Sequence, residues 1–244
     1  MIESGAAVNV QYVEHETRAV AIHEAGHAAA AHIYRPEVES SRLSIRMRAG
    51  SLGHHQSFER EERFTKWHRE YFGDLVHGLA AMAAEHVFYG QNAGGVSGDL
   101  EYATSTAATM AGVVGMGPLP LGLDEVRFAD ESPEDTRRRV LRRFEEVGLQ
   151  LMNRTRGSAD AHADPIASIL HDPTKRSTAA QILGQAYVTA FNFVRANRER
   201  VQSVANELIE RRELYGDELL ELLDRQRFER PKITWADESV WPQL

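Results

Sequence analysis

The chain contains no cysteine. Disulfides and thiolate metal sites are therefore excluded, and any metal must rest on His, Asp and Glu. Freedom from cysteine also fits a reducing compartment. Lysine is scarce: the three are Lys66, Lys175 and Lys232, and none follows a glycine. No G-x-x-x-x-G-K-[ST] phosphate loop can be written anywhere in the sequence, so it is not a P-loop ATPase. No stretch approaches the roughly 18 apolar residues that cross a bilayer, and the N-terminus lacks the basic region and apolar core of a secretory signal. The expectation is a soluble, cytoplasmic protein with no membrane span, membrane association arising only if the chain is part of a longer one. Positive charge is also in deficit, with a net charge of −8. That argues against nucleic acid as a partner, because a phosphate backbone calls for a basic face.

What is present is enough for a core: 244 residues, 42% of them hydrophobic. This fits one large domain or two small ones. The stretch with the most chemistry is His23-Glu24-Ala25-Gly26-His27. It lies in an alanine-rich, proline-free run from Glu14 to Tyr34 that favours a helix. On a helix, His23 and His27 stand one turn apart on one face, so both rings reach one ion. In such an H-E-x-x-H pattern the imidazoles bind Zn2+ and the glutamate deprotonates a water whose pKa the metal lowers toward about 7. Gly26 weakens the helix relative to alanine, which suggests that another backbone packs close to the metal-bearing turn. The competing reading is an ordinary surface helix.

Along the chain, Val8 to Val13 suits a short strand or entry segment, and the metal helix should stop before Pro36. From Ser41 to Phe58, alternation of Leu43, Ile45 and Met47 with Ser44, Arg46 and Arg48 reads as a small sheet or hairpin. An edge strand there, with Ser51, Leu52, Gly53 and His54, could align an extended substrate by main-chain hydrogen bonds. His54 and His55 are additional ligand candidates, although strand histidines commonly line a cleft or face water. A helix is expected from about Thr65 to Tyr89, carrying Glu85. After the glycine-rich loop Gly90 to Gly98, Asp99 opens a helix to about Gly112. Asp99 is the leading candidate for a third ligand, its other reading being a plain N-cap; Glu85 is the alternative that spacing leaves open. The elongated H-E-x-x-H-x-x-G-x-x-H scheme is excluded, since Ala30 and Ile33 stand where it needs Gly and His. Ser132 and Pro133 start a helix to about Met152. Residues 153–178 read as turn-rich, with His162 and His171 as solvated loop histidines. A long helix from Ala179 to Arg212 and a shorter one from Gly216 to Arg227 follow. Trp235 and Trp241 in the tail are placed to dock on the domain or on a partner.

These residues together resemble the peptidase domain of the FtsH family of zinc metalloproteases, peptidase family M41. The resemblance rests on His23-Glu24-Ala25-Gly26-His27-Ala28, on Ser51-Leu52-Gly53, and on Ala83-Ala84-Glu85 through Gly90. It rests most on Gly94-Gly95-Val96-Ser97-Gly98-Asp99-Leu100-Glu101-Tyr102-Ala103-Thr104, with a similar closing segment from Asn197 to Leu219. It implies a mainly α fold with a small β-sheet or hairpin, the helical HExxH zinc-peptidase domain of that family. Residues 1–244 would form a single such domain, with a family-divergent insertion at 125–178. It also implies zinc held by His23, His27 and Asp99, and Glu85 behind them accepting a hydrogen bond from a ligand histidine.

The expected function is a zinc metalloendopeptidase with Glu24 as its catalytic base. Members of the family carry membrane helices and an ATPase module, neither of which is in this sequence. The chain therefore reads as a peptidase domain standing alone, as one cut from a longer chain, or as one served by a separate unfoldase. Without a motor it should hydrolyse only unfolded or flexible polypeptide. The resemblance further implies a homo-oligomer, a hexameric ring. The alternative is a catalytically inactive binding or scaffold module, against which the intact Glu24 weighs. A metal hydrolase acting on other substrates has no support beyond HExxH itself.

Overall fold

The computed structural model describes residues 13–46, 53–62, 64–122, 131–154 and 165–244. Among them the chain forms α1 (Glu14–Tyr34), β1 (Val38–Ser44), β2 (His54–Glu59), α2 (His68–Tyr89) and α3 (Ser97–Thr109). These are followed by α4 (Pro133–Met152), α5 (Pro165–His171), α6 (Pro173–Ala196), α7 (Arg198–Arg211), β3 (Glu213–Tyr215) and α8 (Gly216–Gln226). The fold is mainly α with one small antiparallel sheet, as expected.

Two helices carry the centre of the molecule. In α1, Ala21, Ile22, Ala25 and Ala28 to Ala30 are fully buried, and α2 answers with Leu75, Leu79, Ala80, Ala83 and Ala84. Small side chains let the two backbones come close. A Cβ added at Gly26 would lie 2.8 Å from the Ala80 carbonyl oxygen and 2.9 Å from the Ala84 Cβ. Gly26 is thus needed for close approach, and its helix-propensity cost of about 1 kcal/mol is offset by the packing it permits. The helix ends at Tyr34, ahead of Pro36, with the Arg35 N–H still bonded to Ala31.

The sheet has the order β2-β1-β3. Ser44 pairs with His54 and Leu43 with His55 on one side of β1, while Leu43 pairs with Leu214 on the other. The hairpin was expected, but β3 was not: three residues beside a helix start carry too little periodicity to announce a strand. Val8 to Tyr12, Met47, Ser51, Leu52 and His162 lie outside the described residues.

A second close crossing joins α4 to α6. A Cβ at Gly148 would fall 1.9 Å from the Ala180 carbonyl oxygen, and one at Gly184 1.9 Å from that of Phe144. Ser132 caps α4 by accepting from the Asp135 N–H, with Pro133 in the first turn, as expected. Such a cap contributes about 1 kcal/mol. The exposed Arg–Glu pairs along α4 contribute about 0.3–0.5 kcal/mol each, so burial of Val140, Phe144 and Leu151 in the common core decides its position. Although it falls within 125–178, α4 is therefore a core helix. Trp235 and Trp241 dock on it, 4.9 and 5.4 Å from the Phe144 ring, and Arg143 stacks on Trp241.

Several expected boundaries shift. Helix α6 starts at Pro173 rather than Ala179, because Asp172 caps it by accepting from the Thr174 and Lys175 N–H groups. Residues 165–171 are helical, and His171 ends that helix. The single helix expected to reach Arg212 is broken at Asn197, whose side chain amide bonds the Phe193 and Glu229 carbonyls. Helix α3 begins at Ser97, which puts Asp99 within its first turn rather than at the N-cap. Beyond Thr109 it widens into a π-helical turn over Met110–Val114, closed by Gly115 at φ 73°.

Candidate metal centre

His23 and His27 project from the buried half of α1, their rings edge to face with centroids 5.0 Å apart. Asp99 reaches them from the first turn of α3. Its Oδ2 lies 3.2 Å from His23 Nε2 and 3.4 Å from His27 Nε2. Among the described residues, His23, His27 and Asp99 are the one group of three with donor atoms placed for a common ion.

The outer nitrogens fix the tautomers. His23 Nδ1 is 2.9 Å from Glu85 Oε1, and His27 Nδ1 is 2.9 Å from the His77 carbonyl oxygen. A carboxylate and a carbonyl only accept, so each Nδ1 donates, and both Nε2 atoms face Asp99 Oδ2. Glu85 is itself anchored, its Oε2 accepting from the Ala93 N–H at 2.7 Å. It therefore stands behind His23 and outside the group of three. The sequence points to Glu85; nothing in it marks His77, because that residue contributes a main-chain carbonyl.

This donor set fits zinc. Ligands at about 2.0–2.2 Å in tetrahedral arrangement are separated by about 3.3–3.5 Å, close to the two separations above. With an ion bound, two neutral imidazoles and one carboxylate would supply three donors.

Charge is concentrated here. Burial opposes charge on His23, but the hydrogen-bonded Asp99 and Glu85 carboxylates and nearby Glu24 outweigh it and push its pKa up to about 10. Asp99 is also raised by burial, yet its two histidine partners hold it well below the usual carboxylate range. Burial pushes Glu24 up against the pull of His27 and His23. Glu24 as a residue is only 5% exposed.

A cleft of about 580 Å³ opens on His23, Glu24 and Asp99, with Gly53, His54 and Tyr102 among its walls. Among the described residues, strand β2 is an edge of the sheet. His54 and His55 both line the cleft, but neither joins the group of three. His55 is occupied instead: Nε2 is 2.9 Å from Ser40 Oγ, and Nδ1 is 3.1 Å from His77 Nε2. Burial drives the His55 pKa down to about 3 and that of His77 well below its ordinary value, so both rings are neutral.

A helix-borne pair of imidazoles and a carboxylate from a second helix form a group that could hold one metal ion, with a buried glutamate in the same cleft. The sequence profile of peptidase family M41 matches residues 10–140, and the chain belongs to that family. Among its relatives, the ATP-dependent zinc metalloprotease FtsH 3 of Symbiobacterium thermophilum is 26% identical over 225 residues, 90% of this chain and 31% of the relative. FtsH 4 of Sphaerobacter thermophilus is 30% identical over 190 residues, 70% of this chain and 29% of the relative. The enzyme of Thermotoga maritima is 27% identical over 217 residues, 86% and 31% respectively. The chain spans less than a third of the length of these relatives. Among the described residues no helix is long and apolar enough to cross a membrane.

Proposed function

We propose that the chain is a zinc-dependent endopeptidase that hydrolyses unfolded or flexible polypeptide. The observation that carries this reading is the convergence of His23 Nε2, His27 Nε2 and Asp99 Oδ2 in a cleft that also holds the Glu24 carboxylate. His23, His27 and Asp99 would hold the ion, Glu85 would orient His23, and membership of a peptidase family supports the reaction class.

When bound, zinc supplies Lewis acidity toward water and the scissile carbonyl. Glu24 takes a proton from the attacking water as its oxygen bonds to the carbonyl carbon. It then delivers that proton to the amide nitrogen as the C–N bond breaks. Burial, which raises the Glu24 pKa, suits both halves of this exchange. Strand β2, outermost in the sheet among the described residues, would align an extended substrate along the cleft wall at Gly53 and His54 by main-chain hydrogen bonds. Such pairing requires an extended chain, which favours unfolded substrates. An unfoldase on another polypeptide or on a further part of a longer chain, and a hexameric ring, belong to the same proposal; the relatives' names include ATP dependence.

The test is digestion of casein by the zinc-loaded protein. Cleavage should be abolished by a chelator and restored by zinc. Glu24→Gln should retain zinc while losing activity by several orders of magnitude. Full activity of that variant would overturn the role of Glu24, and absence of any chelator-sensitive cleavage in the wild type would leave the binding-module reading.

A further inference from the structure

Two of the tightly packed glycines, Gly53 and Gly112, face a side chain rather than a neighbouring main chain, and at Gly112 an added Cβ would meet the aliphatic Ile169. At Gly26, Gly73, Gly148 and Gly184 an added Cβ would run into main-chain atoms of a neighbouring helix or turn. At Gly53 it would meet the side chain of Glu24 instead: 2.4 Å from Oε1, 2.7 Å from Cγ and 2.8 Å from Cδ. Real Cβ atoms do not approach so closely, so a side chain at 53 and the Glu24 carboxylate cannot both occupy this space.

Both backbones are anchored close by. Residue 53 immediately precedes His54, which is paired with Ser44 in the sheet. On the other side, α1 is pressed against α2 at Gly26, two residues beyond Glu24. What can give way is the outer part of the Glu24 side chain, by rotation about its own bonds. That would preserve the fold and move the one group on which proton transfer depends.

Resting on the endopeptidase reading above, we propose that Gly53 is a positioning residue for Glu24: the missing Cβ opens the space in which the carboxylate is seated. Gly53 thereby has a duty distinct from any main-chain pairing with substrate. Metal binding should be indifferent to it, since the three atoms nearest its missing Cβ all belong to Glu24 and none to His23, His27 or Asp99.

The experiment is a double-mutant cycle on the full chain, read by kinetics on a fluorogenic peptide, by zinc titration and by melting of the metal-free protein. In Gly53→Ala, kcat should fall about 100-fold, as expected for an angstrom-scale displacement of a reacting group, with KM and zinc affinity unchanged. On the Glu24→Asp background, where the carboxylate is withdrawn by one methylene, Gly53→Ala should cause no comparable further loss. If Gly53→Ala alone does not fold, the same change combined with Glu24→Ala, which empties the space, should melt as the Glu24→Ala protein does. Wild-type kcat in Gly53→Ala, a loss of equal size on the Glu24→Asp background, loss of zinc, or failure of the Glu24→Ala pair to fold would each overturn the proposal. The two readings fail separately. An active Glu24→Gln sinks the peptidase mechanism, whereas an inactive Glu24→Gln beside a fully active Gly53→Ala sinks only the role of Gly53.

Discussion

His23 is gripped at both ring nitrogens, by Glu85 at Nδ1 and by Asp99 at Nε2. Glu85 in turn receives the Ala93 N–H, so the loop before α3 is tied to the same carboxylate that orients the ring. Glu85→Gln keeps the size but removes the charge, and one end of the amide must then present N–H groups to a donor. Zinc affinity should fall about 10–100-fold, measured by competition with a chromogenic chelator; unchanged affinity would deny Glu85 a part in holding the ring. At this scale much was legible. The four-residue spacing of His23 and His27 dictates a shared face, and the glycine-rich approach to Asp99 marks it as special. The His77 carbonyl and the contact of Gly53 with Glu24 were not legible, because main-chain groups and missing atoms leave no pattern in side-chain chemistry.

At the scale of elements, the hairpin was visible in its alternation, but the strand that completes the sheet was not. Strand β3 is secured by a side chain more than by its length: Glu213 binds Arg42 on β1. Burial raises the Glu213 pKa, yet hydrogen bonds from Arg42, Tyr215 and Ser44 outweigh it and hold the carboxyl at about 2, against an ordinary 4.5. Because the folded-state pKa is depressed, the stability it supplies is complete above pH 4.5 and is lost as pH falls through about 2. Thermal melts should therefore show Glu213→Gln less stable than wild type near neutrality, with the gap closing across that acid window. A gap independent of pH would contradict this account. The misjudged start of α6 has a local cause. Asp172-Pro173 is a cap followed by a first-turn proline, a signal present in the sequence but hidden within a stretch rich in turn formers.

Across the whole molecule, the site exists only because distant segments meet. His23 and His27 lie on α1, Asp99 on α3 about 70 residues later, and α2 between them supplies Glu85 and the His77 carbonyl. The alanine- and glycine-lined contact of α1 with α2 sets the depth of the histidines, and the common core beneath extends to α4 and α6. Such long-range convergence follows no sequence period, so from local pattern alone Asp99 and Glu85 competed for one role. Family resemblance separated them, and in the fold they stand on opposite sides of His23. The central claim is that one ion is held jointly by α1 and α3, so that removing the α3 carboxylate dismantles the site without touching the histidines. Zinc bound per chain, measured by titration for wild type beside Asp99→Ala, tests this most directly. The account predicts one tightly held ion in the wild type and a marked loss of affinity in the variant, while equal zinc binding by the two proteins would contradict it.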